Sequence, residues 1–215
     1  MNLTSLFRPS SRPAGHGITI GTPRFYDLAA AVLFRGRRRS YRALLAAAGV
    51  RPGDRLLDVG CGPGYFARML AEATGPDGSV AGVDAAPEMV EYATRKARHL
   101  ANCSFQPGAA QSLPFADGSF DVVTSSLVMH HVPQEERGRA VREMLRVLRP
   151  GGTLVLADYQ PGEGALARVH ASLSTVRAMQ RRVSPLEPLV VDAGFSQVVS
   201  GDAPPWLHYV RAVRP

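Results

Sequence analysis

Asp58, Gly60, Gly62 and Gly64 stand at alternate positions in "LLDVGCGPGYF", and Asp84 follows twenty residues after the last glycine. Glycines at this density let a chain turn tightly and let a ligand lie against bare backbone. A carboxylate at Asp84 can accept hydrogen bonds from both hydroxyls of a ribose, or else cap the helix expected from Pro87. Paired with the glycine loop, the ribose role is the better reading. Further on, His130 and His131 supply imidazoles, the side chain suited to taking up a proton near neutral pH. Adjacent residues point differently, so His130 is the stronger candidate base and His131 the weaker. Packing beneath the following loop is the alternative for either.

The spacing narrows the ligand. A dinucleotide fingerprint counted from Gly60 requires glycine at position 65, which is Tyr65. A phosphate-cradling P-loop requires Gly-Lys-Ser/Thr, and the chain has no such run. The loop is therefore built for close approach of a ligand but not for pyrophosphate. The helix expected from Tyr65 still offers N–H groups to an anion such as a carboxylate.

The elements that position these residues alternate between strand and helix. Helices are expected over 22–34 and 40–49. Strand 55–60 is a continuous apolar run of the kind buried on both faces of a parallel sheet. Then come helix 65–74, strand 79–84, helix 87–100 with Pro87 in its first turn, strand 103–108 and strand 119–126. Helix 134–148, a turn at "RPGG" (149–152) and strand 153–159 follow. Helical stretches near 163–180 and 185–193 precede "SQVVSG" and "WLHYVRAVR", which read as an antiparallel pair. Such alternation means an α/β fold with a doubly wound, Rossmann-like sheet, where ligands sit at the carboxyl ends of the strands. One domain is expected. Its parts are a flexible stretch over 1–20, a helical cap over 21–50, a ligand-binding half over 51–160, and acceptor-side helices with a hairpin over 161–215.

Composition sets the outer bounds. The chain has 215 residues, 45% of them hydrophobic, enough to bury about 70% of the unfolded surface. No apolar run approaches a membrane span of about 20 residues. Cys61 and Cys103 are the only cysteines, so neither a disulfide framework nor a cysteine-rich metal site is expected, and a cytoplasmic setting is the default. No His/Asp spacing of the metal-ligand kind is present. The net charge is +7 and Lys96 is the only lysine, so arginine supplies the basic balance. The densest cluster, Arg35 to Arg39 with Arg42, is either a solvated helix end or a contact for an acidic group. Membrane-surface contact stays open. Nucleic acid is an unlikely partner, since no recognition motif accompanies the charge.

"LLDVGCGPGYF", "VAGVD", "GAAQSLPFADGSFDVV", "HHV" and "LRPGGTLVLAD", in that order over about residues 50 to 160, resemble the class I S-adenosylmethionine-dependent methyltransferases. The branch most resembled is that of small-molecule and quinone-type enzymes. The resemblance implies a seven-stranded sheet with its last strand antiparallel. It implies S-adenosyl-L-methionine as cofactor, S-adenosyl-L-homocysteine as product, and a small-molecule acceptor. Carried over by position, Gly60, Cys61, Gly62 and Gly64 lie against the methionine portion, Asp58 helps hold its amino group, and Asp84 binds the ribose. Ala85 and Met89 pack near the adenine, and Ser125 is a further cofactor-binding residue. The family usually places aspartate, facing the adenine amino group, where this chain has Ala109. That removes one hydrogen bond, about 0.5–1.5 kcal/mol. The Ala110 backbone and Gln111 remain as substitutes. The acceptor side is expected from Phe25, Tyr26 and Tyr159, with Phe34, His170 and Met179 as further candidates. Quinone C-methyltransferases typically read Arg-Asn where this chain has His130-His131.

These features imply in-line methyl transfer to an oxygen, nitrogen or carbon nucleophile. The alternative is a cofactor-binding relative with a non-methylating or scaffolding role. A nicotinamide oxidoreductase is disfavoured by Tyr65. A base-methylating enzyme of nucleic acid is disfavoured because no Asn/Asp-Pro-Pro-aromatic run follows the fourth strand.

Overall fold

A computed structural model describes residues 37–159, 185–205 and 207–215. The helices expected over 22–34 and 163–180, and with them Phe25, Tyr26, Phe34, His170 and Met179, lie outside the described residues. The described elements are α1 (Arg37–Ala48), β1 (Arg55–Val59), α2 (Tyr65–Thr74), β2 (Ser79–Asp84), α3 (Pro87–Ala97), β3 (Cys103–Pro107) and β4 (Phe120–Ser126). A 3-10 turn at Gln134–Glu136 leads into α4 (Arg137–Val147). Then come β5 (Leu148–Tyr159), α5 (Leu186–Asp192), β6 (Ser196–Ala203) and β7 (Leu207–Val213).

The seven strands form one sheet in the order β3-β2-β1-β4-β5-β7-β6. β1 to β5 run parallel, and β7 enters antiparallel between β5 and β6. The order reverses between β1 and β4. The carboxyl ends of those strands therefore flank the crevice where a doubly wound sheet binds its ligand.

Two apolar clusters cover the sheet. On one face Leu57, Val59, Val123, Leu154 and Leu156 meet Val141 and Met144 of α4 and Leu186 and Val190 of α5. On the other, Leu56, Val122, Val155 and Ala157 meet Leu44 of α1 and Phe66 and Leu70 of α2. The alternation along β1, β4 and β5 assigns each polar side chain near the strand ends to a face. Asp58 and Thr124 belong to the α1/α2 face. Ser125 and Asp158 belong to the α4/α5 face.

Two boundaries differ from expectation for identifiable reasons. α1 begins at Arg37 rather than 40, taking in part of the arginine cluster. The Arg37 guanidinium lies 4.1 Å above the Tyr65 ring, and Arg38, Arg39 and Arg42 are exposed. β5 begins at Leu148 rather than 153. Gly151 takes φ +75° as the expected Pro-Gly turn requires. The ladder nevertheless continues through that turn: Gly151 N–H donates to the Arg214 carbonyl and Arg214 N–H to Gly152, both at 2.9 Å.

Candidate functional site

The glycine loop leaves β1 and folds back over the end of β2. Gly60 and Cys61 N–H both donate to the Val83 carbonyl, at 2.7 and 3.0 Å. Gly60, Gly62 and Gly64 all take positive φ, where a side chain is strained. Their open sides differ. A Cβ on Gly60 would lie 2.2 Å from Val128 Cγ2, and one on Gly64 would lie 2.9 Å from Ala93 and Phe105. A Cβ on Gly62 would meet nothing within 4 Å. Two of the glycines thus make room for the protein itself, and Gly62 leaves the open surface. Cys61 turns inward, its sulfur about 3.0 Å from where a Gly82 side chain would begin. The side chain is buried, and burial raises the thiol pKa.

Asp84 closes β2. Its Oδ2 accepts from Gly62 N–H at 2.8 Å and its Oδ1 from Ala86 N–H at 2.9 Å. The carboxylate holds the loop open against the sheet rather than capping α3, whose cap position is Ala86 without a side-chain bond. A carboxylate has about four acceptor sites, so two remain for a diol. Ala85 is half-buried beside it and Met89 is buried in the first turn of α3. Gly108 N–H donates to the Asp84 carbonyl at 3.0 Å, which brings Ala109, Ala110 and Gln111 alongside. The side chain of Ala110 belongs to the core, so its backbone is what it offers.

Asp58 is buried beneath the loop. The Thr124 hydroxyl donates to its Oδ1 at 2.9 Å. Burial, partly offset by that hydrogen bond and reinforced by the Asp84 charge, pushes its carboxyl up to about 7. A fixed cation would reverse that shift. α2 begins at Tyr65 with Gly64 as its cap and no side-chain cap bond, an N-terminus of the kind that receives an anion. Above it, Tyr41 of α1 stacks on Phe66 with ring centroids 4.8 Å apart and accepts a 3.4 Å hydrogen bond from Ser126.

The segment after β4 is shaped by one strained residue. Leu127 has φ +60°. Next to it, Val128 packs against Gly60. The turn then folds back, with His131 N–H donating to the Val128 carbonyl at 2.8 Å. The two imidazoles do not diverge as expected: their rings lie 4.0 Å apart. His130 is 3% exposed. Its Nδ1 is 2.8 Å from Asp158 Oδ1, and its backbone N–H donates to Asp158 Oδ2 at 3.1 Å. Among the described residues its Nε2 has no hydrogen-bond partner, and neither has the buried Ser125 hydroxyl. Tyr159 ends β5 as a buried side chain.

The sequence reading had passed over Thr124, Asp158 and Tyr41. The first two carried a usable signal, a polar residue within or ending a buried apolar strand.

An open glycine, a carboxylate with acceptor sites to spare and a hydroxyl without a partner among the described residues stand at the carboxyl ends of β1, β2 and β4 of a doubly wound α/β sheet, and their chemistry fits a ribose and an amino-acid tail. The methyltransferase-domain family matches residues 56–152. The chain is 34% identical over 200 residues to the ubiquinone/menaquinone biosynthesis C-methyltransferase UbiE of Ectopseudomonas mendocina, covering 80% of this chain and 77% of that one. It is 42% identical over 114 residues to the demethylmenaquinone methyltransferase of Staphylococcus aureus, covering 53% and 46%. A SAM-dependent methyltransferase structure from Aquifex aeolicus matches 84% of this chain and 93% of its own with TM-score 0.68 at 22% identity. The chain belongs to the class I S-adenosylmethionine-dependent methyltransferases, in the quinone-type branch. It spans about half the length of several curated relatives it matches, 48% and 46% in two cases.

Proposed function

We propose that this protein transfers a methyl group from S-adenosylmethionine to a small-molecule acceptor. One observation carries the reading. Asp84 holds Gly62 by its N–H at 2.8 Å, at the switch point of the sheet, while the other side of Gly62 faces open space. That geometry supports ribose binding by Asp84 and close approach of the cofactor to Gly62. Asp58 faces the amino group of the methionine tail, and the α2 N-terminus faces its carboxylate. Ala85, Met89 and the 109–111 backbone flank the adenine.

When bound, the sulfonium supplies a methyl group that is already activated. The chain must orient an acceptor in line with it and exclude water. The acceptor class is drawn from the relatives, whose names specify quinone-ring precursors: an electron-rich hydroquinone or phenol. The cap over 21–50 and the segment from 161 are the expected acceptor walls, with Phe25, Tyr26 and Tyr159 contributing. Among the described residues no helix is long and apolar enough to cross a membrane.

The test is transfer of labelled methyl from S-adenosylmethionine to a panel of reduced naphthoquinols, catechols and phenols. Label in any of them, lost on Asp84→Asn, supports the proposal. Tight cofactor binding without transfer to any acceptor opposes it.

A further inference from the structure

His130 and Asp158 lie 28 residues apart on the ends of neighbouring strands, and only the fold joins them. Both carboxylate oxygens of Asp158 are engaged: Oδ1 with His130 Nδ1 and Tyr159 N–H, Oδ2 with His130 N–H. The carboxylate can only accept, so the shared proton sits on Nδ1, and a ring carrying that proton alone keeps a lone pair on Nε2. That nitrogen is buried and has no hydrogen-bond partner among the described residues. A core histidine normally has both ring nitrogens satisfied.

A second such atom lies on β4. The Ser125 hydroxyl is also buried without a hydrogen-bond partner among the described residues. Ser125 pairs with Leu156 in register, and Asp158 follows two residues further along β5 on the same face. Two unsatisfied polar atoms on one face of the sheet, at its ligand-binding end, are what a polar group of a bound molecule would complete.

We infer that His130 and Asp158 form a base dyad that takes the proton from the acceptor, with Asp158 as the positioning residue and Ser125 as a hydrogen-bonding partner of the acceptor or of the cofactor tail. The inference rests on the methyl-transfer reading and narrows it. The acceptor must carry a proton at or conjugated to the atom that is methylated, as a phenol or hydroquinone does. The acceptor atom bonds to the methyl carbon as the S–CH3 bond breaks. The electron pair of that bond stays on sulfur, which becomes a neutral thioether. The acceptor proton passes to Nε2, the Asp158 carboxylate balances the imidazolium, and the proton then leaves to water. A base of this kind contributes about 10²–10⁴ in rate.

The test needs no knowledge of the acceptor. Diethyl pyrocarbonate attacks the unprotonated imidazole nitrogen and has fewer heavy atoms than a naphthoquinol, so a path open to an acceptor of that size is open to the reagent. Carbethoxylation of His130 in the folded protein at pH 7 is followed by peptide mass spectrometry. Wild type reacts at His130, and Asp158→Asn reacts at least fivefold more slowly, because the proton is free to settle on Nε2. Asp158→Glu, which restores the carboxylate, recovers part of the rate. A His130 that reacts only after unfolding overturns the dyad, as does an equal rate in Asp158→Asn. The wild-type rate alone decides whether Nε2 is reachable if that variant does not fold. S-adenosylhomocysteine titration on the same samples separates the two claims. Binding by a wild type whose His130 is inert refutes the dyad alone. No binding by a wild type whose His130 reacts refutes the cofactor site.

Discussion

Asp58→Asn is expected to make the ligand-free protein more stable at pH 8 and less stable at pH 4. In the folded chain burial raises the Asp58 carboxyl from 3.8 to about 7. A folded-state value above the unfolded one favours the native state below about pH 4, and that contribution is lost as pH rises through about 7. Three pH units at 1.36 kcal/mol each amount to about 4 kcal/mol on the alkaline side. Asparagine has no charge to bury, and its oxygen keeps the hydrogen bond from Thr124. The Ala67 N–H also hydrogen-bonds the carboxylate, and weakening that bond on replacement by an amide costs about 1 kcal/mol. The net gain at pH 8 is therefore about 3 kcal/mol, the net loss at pH 4 is about 0.5 kcal/mol, and the curves cross near pH 4.5. Urea denaturation followed by far-ultraviolet circular dichroism from pH 4 to 8.5 reads this directly. A stability difference that does not change with pH would refute the reasoning. The same variant should bind S-adenosylhomocysteine more weakly, because the carboxylate whose burial is costly is the one proposed to meet the ammonium group. Stability would rise as affinity falls, the usual trade at a binding site.

Ala109→Asp should raise S-adenosylhomocysteine affinity by up to about tenfold, one hydrogen bond to the adenine amino group being worth about 0.5–1.5 kcal/mol. Unchanged or weaker binding by calorimetry would place the 108–112 segment away from the base. Gly60→Ala and Gly62→Ala should separate packing from ligand contact. The first drives a methyl against Val128 and should cost about 3 kcal/mol or more of stability. The second carries only the strain of positive φ, about 1–2 kcal/mol, but puts a methyl where the ligand lies, so cofactor affinity should drop at least tenfold. Equal affinity for wild type and Gly62→Ala would mean that the open side of Gly62 is not the ligand surface.

Where local signals agree, the sequence was legible to the residue. α2 and β2 run as the pattern implied, because Gly64 and Gly75 bracket the helix and Asp84 ends the strand. β5 was not, because Pro150-Gly151 reads as a boundary while the pairing that carries the strand through it comes from Arg214, at the far end of the chain. The glycine loop was legible as a tight turn after β1, and Asp84 is joined to it through the Gly62 N–H. What each glycine accommodates was not, since Val128, Ala93 and Phe105 arrive from other elements. Thr124 and Asp158 escaped notice for the same reason. Thr124 meets Asp58 across 66 residues, and Asp158 meets His130 only because Leu127 turns the segment after β4 back toward β5. Cys61 sat in the motif, but its side chain faces inward.

The central claim is that Asp84, with the loop it holds, binds the nucleoside of the cofactor. Titration calorimetry with S-adenosylhomocysteine, wild type beside Asp84→Asn, tests it most directly. Asparagine keeps one acceptor oxygen for the backbone and loses the charge-assisted bonds to the ribose diol, each worth about 1.5–3 kcal/mol. Micromolar binding by wild type, weakened at least tenfold in a variant that melts within a few degrees of it, is the predicted result. Equal affinities in two folded proteins, or no binding by wild type, would contradict the account.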